Sequence, residues 1–121
     1  MHCHQPTYCD VDDTLVLWER PSDYPENDMR LINCGGVEKW YAINWPQVRQ
    51  LSEHKARGHT VIVWSAGGSD WADAVVDALE MRPFVDLTLE KPMWAYDDLP
   101  ASEFMPKTKL IPWKKVVDKT A

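Results

Sequence analysis

The chain predicts an α/β fold with a short, mainly parallel sheet, and three observations carry that expectation. Residues 60 to 66, TVIVWSA, are a near-continuous apolar run without alternation, the pattern of a strand buried on both faces of a parallel sheet. Residues 7 to 11, TYCDV, are β-prone and run into a knot of acids, Asp10, Asp12 and Asp13. Stretches with helix punctuation lie between and after these strands, so the two element types alternate.

In chain order, the first strand is expected over 7 to 11. Residues 19 to 28, ERPSDYPEND, have the proline and acid content of a loop. RLINC and VEKWYAIN flank Gly35-Gly36, which reads as a β-hairpin. Asn44 can cap a helix with Pro46 in its first turn and Gly58 at its end, with Trp45, Val48 and Leu51 on its apolar stripe. The buried strand follows and ends at Ser65, before Gly67-Gly68. A second helix opens at Ser69 or Asp70 and runs to about Met81, with Trp71, Val75, Val76 and Leu79 on one side and Pro83 closing it. VDLTLEKP (85 to 92) and MWAYDDLP (93 to 100) read as two more short strands. TKLIPWKKVVDKTA adds either an edge strand at Leu110 and Ile111 or a short helix.

At 121 residues and 14.0 kDa the chain reads as a single domain, 1 to 121, with an insert at about 19 to 43 and a basic tail at about 107 to 121. No apolar run approaches the ~20 residues of a membrane span, and MHCHQPTYC lacks the pattern of a secretory signal, so a cytoplasmic location is expected. Cys3, Cys9 and Cys34, an odd number, read as reduced thiols. His2, Cys3, His4 and Cys9 match no strong zinc spacing. Residues 1 to 106 hold 18 acidic and 8 basic side chains, whereas 107 to 121 hold 1 acidic and 5 basic, so the body repels long polyanions.

Loops at the carboxyl ends of parallel strands converge on one crevice. Here such ends deliver Asp10 and Asp12, then Ser65, then Lys91, then Asp97 and Asp98. Carboxylates gathered in this way need cations, and all-oxygen donors suit Mg²⁺, which takes one or two carboxylates, several waters and a substrate phosphate. With its charge balanced by Mg²⁺ and Lys91, Asp10 can attack phosphorus. Asp12, two residues on, can protonate the leaving oxygen and then deprotonate water. Ser65, with the backbone N–H groups of Ala66 and Gly67, can cradle phosphoryl oxygens. Each of these residues has a plainer reading as a turn or cap group; their serial order at strand ends favours the chemical one.

The segment DVDDT (10 to 14) resembles the DxDxT motif of the haloacid dehalogenase (HAD) superfamily of phosphohydrolases. VIVWSAGG resembles its second motif, Lys91-Pro92 its third and Tyr96-Asp97-Asp98 its fourth, in order over residues 7 to 100. The resemblance implies a HAD-like Rossmannoid three-layer sandwich with a β-hairpin flap and no cap domain, similar to small capless bacteriophage or bacterial members. It implies Asp10 as nucleophile, Asp12 as general acid/base, Thr14 as an orienting group at the phosphate, Ser65 as phosphate ligand and Lys91 as charge stabiliser. It also implies Mg²⁺ held by Asp10, the main-chain carbonyl of Asp12 and an acid of the Asp97-Asp98 pair; of the two we favour Asp98 as the direct ligand, with Asp97 behind it. Two departures stand out. Asp13 occupies a position where the family most often has glycine, and only five residues separate Lys91 from Asp97. The hairpin corresponds to the family's flap, where Trp40 and Tyr41 can stack on a base or cover the leaving group.

The expected activity is Mg²⁺-dependent hydrolysis of a phosphomonoester through an aspartyl phosphate, on a nucleotide or a nucleic-acid terminal phosphate. One alternative is an inactive HAD-like binding module. Another, a phospho-receiver domain, needs its acceptor aspartate on a middle strand with Ser/Thr and Lys after it, an order this chain does not follow.

Overall fold

A computed structural model describes residues 5 to 111, which fall into two compact units: the first ends at Lys91 and the second begins at Pro92. The first unit is an α/β structure with two three-stranded sheets. Its elements are β1 (Thr7–Cys9), β2 (Val16–Leu17), β3 (Arg30–Cys34), β4 (Val37–Ile43), α1 (Trp45–Ala56), β5 (Val61–Ser65), α2 (Ser69–Ala78) and β6 (Leu87–Glu90).

The parallel sheet has the order β1-β5-β6, with Cys9 opposite Val63 and Ser65 opposite Glu90. The run TVIVWSA thus forms the central strand. Val61, Val63 and Ser65 are fully buried, whereas Trp64 points the other way, is half-buried, and stacks on Tyr8 with ring centroids 4.6 Å apart. The second sheet is antiparallel, order β2-β4-β3. Its hairpin turns on Gly35 and Gly36, whose φ values of +61° and +82° match a type I′ turn that only glycine and a few polar residues enter freely. The core joins both sheets to both helices through Val11, Leu15, Val16, Ile32, Ile43, Val48, Leu51, Val61, Val63, Val75, Val76 and Met81. Burial of these side chains, at about 1.5 to 3 kcal/mol for each of the larger ones, is the main force holding the hairpin to the parallel sheet.

Both helices end in left-handed residues. At α1, Gly58 has φ +86°, its N–H bonds to the carbonyl of Lys55, and His59 N–H bonds back to His54. This is a complete Schellman closure. At α2 the same closure is made by Glu80, φ +56°, with Glu80 N–H to Asp77 and Met81 N–H to Val76. The helix therefore stops at Ala78, earlier than the expected Met81, and Pro83 is not what ends it. Asn44 precedes α1 as expected, but its side chain does not cap the helix; Asn44 Nδ2 donates to the carbonyl of Thr14 at 3.0 Å. The first strand ends at Cys9, before the acids, because residues 10 to 16 wrap into a tight loop in which the Val11 carbonyl accepts N–H bonds from Thr14, Leu15 and Val16.

In the second unit, residues 93 to 100 form no strand, which corrects the expectation for MWAYDDLP. Proline at 92 and 100 and an Asx turn, Asp97 Oδ1 accepting Leu99 N–H at 3.0 Å, break the backbone pattern a ladder needs. A short helix α3 (Ala101–Phe104) follows, and Leu110 and Ile111 are in neither strand nor helix. The remainder of the basic tail lies outside the described residues. No helix among the described residues is long and apolar enough to cross a membrane.

Candidate functional site

Because β1, β5 and β6 run parallel, their carboxyl ends bring Asp10, Ser65 and Lys91 to one edge of the sheet. The Lys91 main-chain N–H donates to the Ser65 carbonyl at 2.8 Å, fixing where the lysine leaves the sheet. Lys91 Nζ is 3.9 Å from Asp10 Oδ1, and Thr14 Oγ1 donates to Asp10 Oδ2 at 3.2 Å. Both groups are partly solvated, so the pair adds little stability; it instead leaves a carboxylate and a cation facing a common, accessible space.

Asp12 has different surroundings. Its Oδ1 accepts two indole N–H bonds, from Trp18 at 2.9 Å and from Trp71 at 3.0 Å, and its Oδ2 accepts from Ser65 Oγ at 3.4 Å. An indole nitrogen can only donate. Oδ1 is therefore committed as an acceptor, and any proton that Asp12 carries or transfers belongs on Oδ2. Ser65, fully buried, also accepts the Gly67 N–H at 3.0 Å. The serine hydroxyl and the Gly67 amide, expected to bind phosphate directly, are here spent on each other and on Asp12. Gly67 is further constrained by Trp71: a Cβ at this position would lie 3.3 Å from Trp71 Cδ1. Ala66 is exposed beside it.

Asp13 sits in the left-handed region, φ +60°, the conformation that glycine adopts most easily and that short polar residues tolerate. Its Oδ1 accepts the Trp18 main-chain N–H at 3.2 Å. The residue that departs from the resemblance thus has a local structural task.

Trp40 and Tyr41, adjacent on β4, face opposite ways. Tyr41 is buried, packs edge-on against Trp18 with centroids 5.5 Å apart, and lies 5.7 Å from Trp71. Burial and the neighbouring Asp12 carboxylate push its phenol pKa up, so it stays neutral. Trp40 is 59% exposed and pairs across the hairpin with Leu31. The expected aromatic pair is therefore split, with Tyr41 alone on the Asp12 side. A groove of about 310 Å³ lies there, lined by Asp12, Trp18, Ile32, Cys34, Val37, Tyr41, Gly67 and Trp71. Trp18 and Trp71 are site residues that sequence reasoning missed. The available signal was the indole N–H itself, which needs an acceptor wherever the ring is packed away.

Cys9 and Cys34 are free thiols. Burial, reinforced by Asp10 and partly offset by Gln47, pushes the Cys9 thiol up to about 12, so it is not a nucleophile. Asp97 and Asp98, exposed, belong to the second unit. Among the described residues no group of three or more His, Cys, Asp or Glu side chains is set to hold a metal ion. The first unit's donors nevertheless suit Mg²⁺: Asp10 is a hard-oxygen ligand with solvent access, and Mg²⁺ requires only one or two carboxylates besides water and phosphate. No family model, curated protein or solved structure matches the chain.

Proposed function

We propose that this chain is a Mg²⁺-dependent phosphomonoester hydrolase of the HAD type, with the three-layer Rossmannoid fold, the hairpin as flap, and an aspartyl-phosphate intermediate on Asp10. The observation that carries the reading is the meeting of Asp10, Lys91 and Thr14 at the carboxyl end of a parallel sheet, with Asp12 held close by through Ser65. A carboxylate kept beside a lysine and oriented by a hydroxyl has the features of an activated oxygen nucleophile.

In the first step an Asp10 carboxylate oxygen forms a bond to phosphorus as the bond from phosphorus to the leaving oxygen breaks. The leaving oxygen keeps the electron pair and takes a proton from Asp12 Oδ2. In the second step Asp12 Oδ2 takes a proton from water, the water oxygen attacks phosphorus, and Asp10 is released with inorganic phosphate. Lys91 balances charge on the phosphoryl oxygens in both steps. Ser65 keeps Oδ2 in line, and the two indoles hold Oδ1 so that the carboxyl cannot rotate. Asp10 and the Asp12 main-chain carbonyl would hold Mg²⁺, which would supply positive charge to the site.

The test is a phosphatase assay with Mg²⁺ on p-nitrophenyl phosphate, 5′- and 3′-nucleotides and 3′-phosphorylated oligonucleotides, with Asp10→Asn as control. Hydrolysis by the wild-type chain that Asp10→Asn abolishes supports the reading. Equal inertness of both proteins on every compound overturns it.

A further inference from the structure

The groove beside Asp12 is walled by three aromatic rings, and their mutual angles restrict what it can hold. Trp18 meets Tyr41 at an interplanar angle of 83°, and Tyr41 meets Trp71 at 58°. Rings tilted in this way do not form a slot that sandwiches a flat base between two faces. They surround a rounded group, the arrangement by which aromatic cages hold alkylammonium ions. The remaining walls, Ile32, Cys34, Val37 and Gly67, offer no side-chain amide or charged group to read a base edge.

Charge points the same way. None of the residues lining the groove is Lys, Arg or His, so no lining cation repels an ammonium group. The rings also hold a cation already: Lys39 Nζ lies 5.1 Å from the centroid of Trp18 and 5.3 Å from that of Tyr41. Both distances are within the ~6 Å of a cation–π contact. Lys39 is exposed on the hairpin, on the same face of β4 as Tyr41, and does not itself line the groove; its ammonium shows that these two ring faces accept a cation, and a bound ammonium group would compete with it.

We propose that this groove binds a small aliphatic ammonium group, so that the substrate is the phosphomonoester of an amino alcohol. The substrate assignment rests on the hydrolase reading; the ammonium site itself does not. Phosphate at Asp10 and Lys91 puts the leaving oxygen at Asp12 Oδ2, and the alkylammonium group extends past Asp12 into the ring-lined groove. A volume of about 310 Å³, at the small end for ligand pockets, suits such a leaving group.

The experiment has a binding arm and a turnover arm. Calorimetry compares choline with its uncharged isostere 3,3-dimethylbutan-1-ol and with adenosine. Choline is expected to bind at least about tenfold more tightly than either. Trp18→Leu should weaken choline binding by about tenfold, Lys39→Gln should strengthen it, and Trp40→Leu, on the opposite face of the strand, should leave it unchanged. Equal binding of the isostere, or tighter binding of adenosine, overturns the ammonium site. Turnover compares phosphocholine with 3,3-dimethylbutyl phosphate in the presence of Mg²⁺, and a kcat/KM ratio near one overturns the substrate assignment. Hydrolysis of p-nitrophenyl phosphate that depends on Asp10, with no choline binding, sinks the ammonium site and leaves the hydrolase standing. Choline binding by a chain inert on every phosphate ester does the reverse.

Discussion

Trp71 Nε1 donates to Asp12 Oδ1 at 3.0 Å, joining the first turn of α2 to the acidic loop after β1 across 59 positions of chain. Together with Trp18 it occupies Oδ1 of Asp12 and leaves Oδ2 to the Ser65 hydroxyl. Trp71→Phe keeps the ring and removes the donor. Losing a hydrogen bond to a charged group should lower kcat by about tenfold with KM nearly unchanged. A purely structural role for Trp71 would lower the melting temperature and leave kcat of the folded protein unchanged.

The three acids of the loop have separate surroundings and should respond separately. Asp10→Asn should reduce turnover by about 10³-fold or more. Asp13→Gly should keep activity within about twofold, since glycine accepts the +60° backbone and the Asp13 carboxylate, among the described residues, accepts the Trp18 main-chain N–H. Asp13→Val, forced into the same conformation, should cost about 1 to 2 kcal/mol in denaturant unfolding. Comparable activity losses in Asp10→Asn and Asp13→Gly would mean that the roles are assigned wrongly.

On the proposed reading, Asp10 works with Mg²⁺. Chelation should abolish hydrolysis and added Mg²⁺ should restore it. Hydrolysis that continues at full rate in excess chelator would remove Mg²⁺ from the reading.

Cys9 makes stability depend on alkaline pH. Its folded pKa, raised from 9.0 to about 12 chiefly by burial, exceeds the unfolded value, so the folded state holds the proton more tightly. The contribution is complete below about pH 9 and is lost as pH rises toward 12, up to about 4 kcal/mol over that window. Cys9→Ala should flatten the fall in unfolding free energy between pH 9 and 11. Unchanged slopes in the two proteins would place the alkaline sensitivity elsewhere.

Glu80 holds the left-handed position that closes α2, where a side chain is strained. Glu80→Gly should stabilise the protein by about 0.5 to 1 kcal/mol, a rise of a few degrees in Tm. A loss of stability would mean that the Glu80 side chain contributes more than its backbone strain costs.

Much of the architecture was legible because it is local. Two glycines between β-prone runs specify the hairpin, an unbroken apolar run specifies a central parallel strand, and Gly58 closes α1 where expected. The end of α2 was not legible, since Glu80 rather than a glycine takes the left-handed residue, and the backbone there follows the burial of Leu79 and Met81.

The sequence by itself determined the α/β class and the order in which Asp10, Ser65 and Lys91 arrive at strand ends, since both depend on patterns a few residues long. Tertiary structure alone decided what each acid touches. Whether Asp12 meets two indoles, whether Tyr41 or Trp40 turns inward, and whether the Ser65 hydroxyl faces an acid or open space depend on how α2 and the hairpin pack over the loop after β1. Those contacts join residues up to 59 positions apart, and their geometry is set by the shared core rather than by either segment alone.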